Sequence, residues 1–310
     1  MKLTTECIPC TIKAALMTIR ELTDQESDMR GLFAQFMQIP AMRGLDWEMT
    51  GSDLIAEIFR IITGASGNPD PFLQRKRLQN ERCLELYPWL KGLVTRSENP
   101  LFTAVNLAII GNSIDPMGHQ SSQDLAQVIQ ENLENPVSRE GFIDLSERLA
   151  RSRSLLYLGD NCGEIVIDKL LIETIKDQYD IEVAFVVRSA PILNDATFGD
   201  ANLVGISDAA TVMENGIDGP SPGTVLSRCS EELRRLWSSA DLIISKGGGN
   251  FDCLHDEDGI TVPLYYMLMC KCNLYADYFN VPVHHPILYG ADWQTSYERK
   301  ERDIASDREV

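Results

Sequence analysis

The 310-residue chain is 44% hydrophobic, enough to bury one large core, or a core with a smaller helical layer. Its 46 acids against 28 bases give a formal charge of −18, which repels phosphate backbones and anionic lipid, so neither nucleic acid nor a membrane surface is expected as a partner. No apolar run approaches the roughly 18 residues that span a bilayer, and the opening MKLTTECIPCTIKAAL carries an acid and two cysteines where a secretion signal needs an apolar stretch; the expected location is the cytoplasm, with the 8 cysteines as thiols.

The first part of the chain, residues 1–150, is expected to form a helical domain. CTIKAALMTIRELT carries apolar residues at three- and four-residue intervals. SDLIAEIFRIITG opens on a serine suited to an N-cap and stops at glycine, and LFTAVNLAIIGN ends in a similar way. Turn chemistry at GASGNPDP separates such segments.

From residue 151 the texture changes. SLLYLGDN, EVAFVVRS and DLIISKGGGN are short, apolar and β-branched with little alternation, the pattern of strands covered on both faces. GEIVIDKLLIETIKDQY between the first two reads as an amphipathic crossover helix, and CSEELRRLWSSA as another before the third. Residues 151–300 are therefore expected to be a Rossmann-like α/β unit with a doubly wound, mostly parallel sheet. Residues 301–310 read as a charged, solvated tail.

In such a sheet ligands collect beyond the carboxyl ends of the strands. Asp160-Asn161, Asn194-Asp195 and Lys246 with its following GGGN fall there. Carboxylates and an amide oxygen are hard ligands suited to Mg²⁺ or Mn²⁺. Singly, Asp160 reads equally well as a helix N-cap and Asn161 as a turn residue; the recurrence of an acid/amide pair after the next strand favours the metal. SKGGGNF offers loop amides to an anion but matches neither a Walker A loop nor a dinucleotide fingerprint.

Taken together, ECIPC, GDNCGEIVIDKLLIE, RSAPILNDAT, NGIDGPSPGT and SKGGGNFD, in this order, resemble the metal-dependent damage-control phosphatase family (ARMT-like), formerly a domain of unknown function; ECIPC is similar to its mainly prokaryotic branch. The resemblance implies hydrolysis of phosphate monoesters of sugars and damaged metabolites, with Mn²⁺ or Mg²⁺, and also Co²⁺ or Ni²⁺. It implies Asp160, Asn161 and Asp195 as metal ligands, Asn194, Lys246 and Gly248 facing the substrate phosphate, and Asn112 and Asp115 in a segment closing over the site. Two positions depart from the family pattern: Cys162, where a small residue is usual, and RSA, where a glycine-richer turn is usual.

The expected chemistry is attack by metal-activated water, with Asp160 and Lys246 catalytic and with Lys246 and the loop amides stabilising the phosphoryl oxygens. Attack by Asp160 itself is the alternative, but the second aspartate of haloacid-dehalogenase-type enzymes is replaced here by Cys162. Two rival readings of the fold remain open: a non-enzymatic metal- or nucleotide-binding protein, and an S-adenosylmethionine-dependent methyltransferase. Cys7-x-x-Cys10 and Cys270-x-Cys272 read as zinc, redox or structural pairs, and His119, His255, His284 and His285 as structural side chains before ligands.

Overall fold

A computed structural model describes residues 1–113, 122–257 and 260–291. Helices α1 (Cys7–Leu22), α2 (Glu26–Phe36), α3 (Gly51–Ser66), α4 (Leu73–Arg96), α5 (Pro100–Gly111), α6 (Ser122–Leu133) and α7 (Arg139–Arg151) come first. They are followed by β1 (Ser154–Leu158), α8 (Glu164–Gln178), β2 (Glu182–Val187), α9 (Phe198–Leu203), β3 (Thr211–Glu214), α10 (Glu231–Ser239) and β4 (Leu242–Lys246). The last described elements are α11 (Gly247–Leu254), β5 (Leu264–Met269), α12 (Asn273–Phe279) and β6 (Pro286–Ala291).

The strands form one sheet in the order β3-β2-β1-β4-β5-β6. β1 to β5 pair in parallel, and β6 returns antiparallel along β5. This is the mostly parallel α/β architecture that the apolar runs imply. From β1 the order runs outward in both directions, so β1 and β4 flank the switch point where a doubly wound sheet opens its crevice.

Three local features differ from the sequence reading. DLIISK is the fourth strand, because the short edge strand TVME precedes it; four residues without a fully buried side chain give no apolar run to detect. Helix α8 is not amphipathic in its surroundings: α4 and α5 cover it on one side and the sheet on the other, so ten of its residues are buried. Helix α3 is capped by Thr50, not Ser52; Thr50 and Asp53 form a reciprocal capping box, and the Ser52 hydroxyl instead donates to Gly249 O at 3.3 Å, tying α3 to α11.

One hydrophobic cluster runs from α4 and α5 through α8 into β1, β2, β4 and β5, so the chain passes residue 150 inside a continuous core. The opposite face of the sheet packs on Leu233 and Trp237 of α10, Phe251 of α11 and Tyr275 of α12. Helices α1 to α3 bury a separate cluster around Ile19, Phe36 and Ile62. Among the described residues no helix is long and apolar enough to cross a membrane.

Ile172 of α8 is wholly buried in the continuous cluster. Ile172→Ala is expected to cost about 2–5 kcal/mol, read as a lower urea midpoint with an unchanged denaturant slope.

Candidate active site

The turns that leave β1 and β2 are stitched together. Ala196 N donates to Asp160 O at 2.8 Å, Cys162 N donates to Asn194 O at 2.8 Å, and Asn161 and Asp195 form an antiparallel bridge. Gly159 makes this approach feasible, because a Cβ there would lie 2.6 Å from the Phe185 ring. Two strands thereby deliver Asp160, Asn161 and Asp195 to one place.

Arg188, the first residue beyond β2, lies between the two acids and is only 2% exposed. Its Nε donates to Asp195 Oδ2 at 2.7 Å and its Nη2 to Asp160 Oδ1 at 3.0 Å. The remaining donors reach Asn250 Oδ1 at 2.9 Å and Pro222 O at 2.9 Å. Asp160 Oδ2 accepts from Asn112 Nδ2 at 3.1 Å and Asn161 Nδ2 at 2.6 Å. Both amides also donate to Glu164 Oε2, at 3.0 and 2.8 Å.

Lys246 requires a correction. Its ammonium does not face an open crevice; it is fully buried and donates to Ala108 O at 2.9 Å, Glu164 Oε1 at 2.7 Å and Asp168 Oδ1 at 2.5 Å. Those three bonds use all three ammonium hydrogens. The reason is strand alternation: the last side chain of β4 projects onto the face covered by α5 and α8, not off the end of the strand. The following glycines are also not a loop but the first turn of α11. Gly247 has φ +77°, and a Cβ there would overlap the Asp160 carboxylate, so glycine sets the positive end of α11 against that acid. Gly248 O accepts from the Tyr275 hydroxyl at 3.1 Å.

Asn112 joins Asp160 and Glu164 through its side-chain amide, whereas Asp115 lies outside the described residues, as does His119. Asn194 is buried beside Asp195, and its Nδ2 has no partner among the described residues. Cys162 is buried with its thiol 4.0 Å from Asp195 O; burial and Asp200 push its pKa far up, so it stays protonated. His284 and His285 pair through their backbones with Cys270.

The sequence reading missed Arg188, Glu164, Asp168, Asn250 and Lys271. Arg188 had a signal, a charge directly after the buried run EVAFVV. Lys271, exposed two residues past β5, is close enough to Asp160 for its charge to oppose the acid's upward shift. The two cysteine pairs meet at one end: Glu6 Oε2 accepts from Asn273 Nδ2 at 3.2 Å, and Cys7 contributes to raising the Cys272 thiol. Among the described residues no group of three or more His, Cys, Asp or Glu side chains is arranged to hold a metal ion, at the cysteine pairs or elsewhere, so a metal at the strand ends would need the Asn161 amide beside its two carboxylates.

Electrostatically the centre is overloaded with acid. Four carboxylates, Asp160, Glu164, Asp168 and Asp195, are buried with two cations, Arg188 and Lys246, an excess of two negative charges if all are ionised. Burial, reinforced by Glu164, raises Asp160 to about 6 against the opposing charge of Arg188. Burial raises Asp195 to about 7 despite Arg188, with Asp160 adding to the effect. Asp168 is raised to about 7 by burial and Glu164 although Lys246 opposes it, and its Oδ2 has no partner among the described residues. Glu164 moves the other way: burial is outweighed by Lys246 and by the amides of Asn112 and Asn161. A divalent cation would supply the missing charge, and two carboxylates with an amide oxygen are the donor type for Mg²⁺ or Mn²⁺; the residues fit the group by type, although Asn161 here directs its nitrogen at Asp160 and Glu164 and would have to present its oxygen.

Comparison with known proteins identifies the family. Residues 3–285 match the model of the damage-control phosphatase ARMT1-like domain. The chain belongs to that family. An uncharacterized protein of Methanocaldococcus jannaschii is 31% identical over 93% of this chain and 95% of its own. Proteins named damage-control phosphatase from Archaeoglobus fulgidus and Pyrococcus horikoshii are 30% and 29% identical, over 88% and 91% of this chain and 93% and 96% of theirs. The crystal structure of a DUF89 family protein from Pyrococcus horikoshii superposes with a TM-score of 0.80 at 27% identity, over 93% of this chain and 98% of the other. Family membership favours a damage-control phosphatase over the methyltransferase and non-enzymatic readings.

A carboxyl whose pKa is higher folded than unfolded contributes stability below its unfolded pKa and loses it as pH climbs through the folded value. For the raised acids that window opens at the ordinary value of 3.8 and closes at about 6 for Asp160 and about 7 for Asp168 and Asp195. EDTA-treated protein is therefore expected to unfold at lower urea concentration at pH 8 than at pH 5, and equal midpoints would contradict the overloaded centre.

Proposed function

We propose that this chain is a metal-dependent phosphatase that hydrolyses phosphate monoesters of small metabolites, sugar phosphates or damaged phosphometabolites. Asp160, Asn161 and Asp195 hold the divalent ion, Mn²⁺ or Mg²⁺, with Co²⁺ or Ni²⁺ as substitutes. The observation that carries the reading is the meeting of two strand-end carboxylates in a buried cluster that is two positive charges short.

When bound, the cation supplies positive charge against the phosphoryl oxygens and favours ionisation of water. The chain's own groups do the rest. The first-turn amides of α11, Gly248 among them, offer donors at a helix N-terminus, a suitable seat for a phosphate. Lys271 takes the role first assigned to Lys246, because it is exposed near Asp160 whereas Lys246 has no free hydrogen. The unpartnered Asn194 amide provides a further donor beside Asp195. Lys246 instead fixes Glu164, which through Asn112 and Asn161 sets the position of Asp160.

Water is the favoured nucleophile. The second acid of an aspartate mechanism is missing, since Cys162 stands in its place with a buried, protonated thiol. A cleft of about 600 Å³ lies beside the site, lined by Phe59, Arg60 and Thr63 of α3 and by Ala190, Pro191 and Pro220 beyond β2 and β3. It is an open hollow that borders the Arg188–Thr197 loop, which also carries Asp195.

Hydrolysis of p-nitrophenyl phosphate by EDTA-stripped and Mn²⁺-reloaded protein tests the reading. Activity is expected only after reloading, with Asp160→Asn and Asp195→Asn each at least about 100-fold slower at saturating Mn²⁺. Full turnover without metal, or near-normal turnover by Asp160→Asn, overturns it. Lys271→Ala is expected to raise KM about tenfold, the loss of one charged contact, while Mn²⁺ affinity measured by calorimetry stays unchanged. A panel of sugar phosphates and damaged cofactor phosphates then identifies the substrate.

A further inference from the structure

We infer that Arg188 is a positioning residue: it holds Asp160 and Asp195 in register before the metal arrives and remains beside the ion afterwards. The inference rests on the metal reading above and goes beyond it by giving a residue outside the ligand set control over affinity.

The guanidinium takes one oxygen from each acid and leaves the other. Nε bonds Asp195 Oδ2 and Nη2 bonds Asp160 Oδ1. Asp195 Oδ1 accepts no hydrogen bond from the described residues, and Asp160 Oδ2 is held only by the amides of Asn112 and Asn161. An ion entering opposite the fork would displace the Asn161 amide from Asp160 Oδ2 but not the guanidinium. A planar group with donors at fixed angles sets the spacing of two carboxylates in a way that a point charge on a flexible stem does not.

Arg188 is itself fixed from behind. Asn250 Oδ1 accepts from Arg188 Nη1 at 2.9 Å and also from Thr224 N and Oγ1, at 2.9 and 2.8 Å. Asn250 Nδ2 in turn donates to Lys246 O at 2.8 Å and Gly159 O at 3.2 Å. Pro222 O receives the last guanidinium contact, and the Arg188 backbone N–H donates to Ala196 O at 3.0 Å, inside the loop that carries Asp195. Swinging the guanidinium away would strand a buried charge and leave the Asn250–Thr224 corner without one of its donors. The charge count agrees: with Arg188 in place and all four carboxyls ionised, the buried cluster lacks two positive charges, the charge of one divalent ion.

Arg188→Lys separates geometry from charge, since it keeps the cation and removes the fork. Calorimetric titration of EDTA-stripped full-length protein with MnCl₂ is expected to show affinity 10- to 100-fold weaker in Arg188→Lys than in wild type, the usual range when a residue orienting metal ligands is lost. The Mn²⁺ concentration for half-maximal p-nitrophenyl phosphate hydrolysis should shift in parallel, while kcat at saturating Mn²⁺ recovers to within a few-fold; a general loss of structure would not give that split. Binding by Arg188→Lys within twofold of wild type overturns the clamp alone. Wild-type protein that takes up no Mn²⁺ overturns the metal reading and the clamp with it. Should Arg188→Lys not fold, ¹⁵N-arginine-labelled wild type decides: a protected Arg188 Nε–H signal is expected without metal and again at saturating Mg²⁺, and its disappearance on adding Mg²⁺ overturns the inference.

Discussion

A carboxylate removed from water must find charge and hydrogen bonds nearby or give up its ionisation. At the carboxyl end of this sheet that demand is met twice by one group, the Arg188 guanidinium, which Asp160 and Asp195 share. The two acids come from different strands, so their meeting requires β1 and β2 to be neighbours in register, with both exit turns stitched by Ala196 N to Asp160 O and Cys162 N to Asn194 O. The site is therefore a product of the sheet itself. Changes that shift the pairing of β1 and β2 act on the two acids directly.

A second tier supports the first. Lys246, in place of reaching a ligand, binds Glu164 and Asp168 under α5, and Tyr157 donates to Asp168 Oδ1 at 2.7 Å. Glu164 passes this order upward by accepting from Asn112 and Asn161, the amides that also hold Asp160. The N-terminal helices contribute more than cover, because Asn112 ends α5 and Asn80 of α4 accepts from Gly163 N at 2.7 Å. Continuous packing from α4 to β5 has a functional counterpart in this polar chain.

Much of this was legible in the sequence, and the failures share a cause. Runs such as SLLYL and EVAFVV identify covered strands because their burial leaves no polar face. The convergence of Asp160, Asn161 and Asp195 was legible because an acid/amide pair recurs at successive strand ends. Lys246 was misassigned because residue order does not say whether a side chain at the last position of a strand turns outward or down onto a face. Glu164 and Asp168 stayed hidden in what reads as the polar stripe of an amphipathic helix; only the covering of α8 by α4 and α5 shows that the stripe is buried. Arg188 was passed over as part of a turn, since nothing local reveals that acids 28 residues before it and seven after it converge on its guanidinium.

The surface charge and the site charge constrain function together. A chain with a formal charge of −18 attracts no phosphate over most of its surface, so a phosphorylated substrate has to find a local reversal of sign. Buried Lys246 cannot provide it, for its hydrogens are taken, and Arg188 is consumed by the acids it joins. Lys271 and the amide end of α11 remain, beside a cluster that carries two surplus negative charges once its four carboxyls are ionised. With that surplus exposed to it, a phosphate dianion meets net repulsion at the point where it must bind. One divalent ion removes the surplus and leaves Lys271 and the helix dipole to act on the substrate unopposed, so on the proposed reading the requirement for metal comes from the charge count of the fold as much as from the chemistry of hydrolysis.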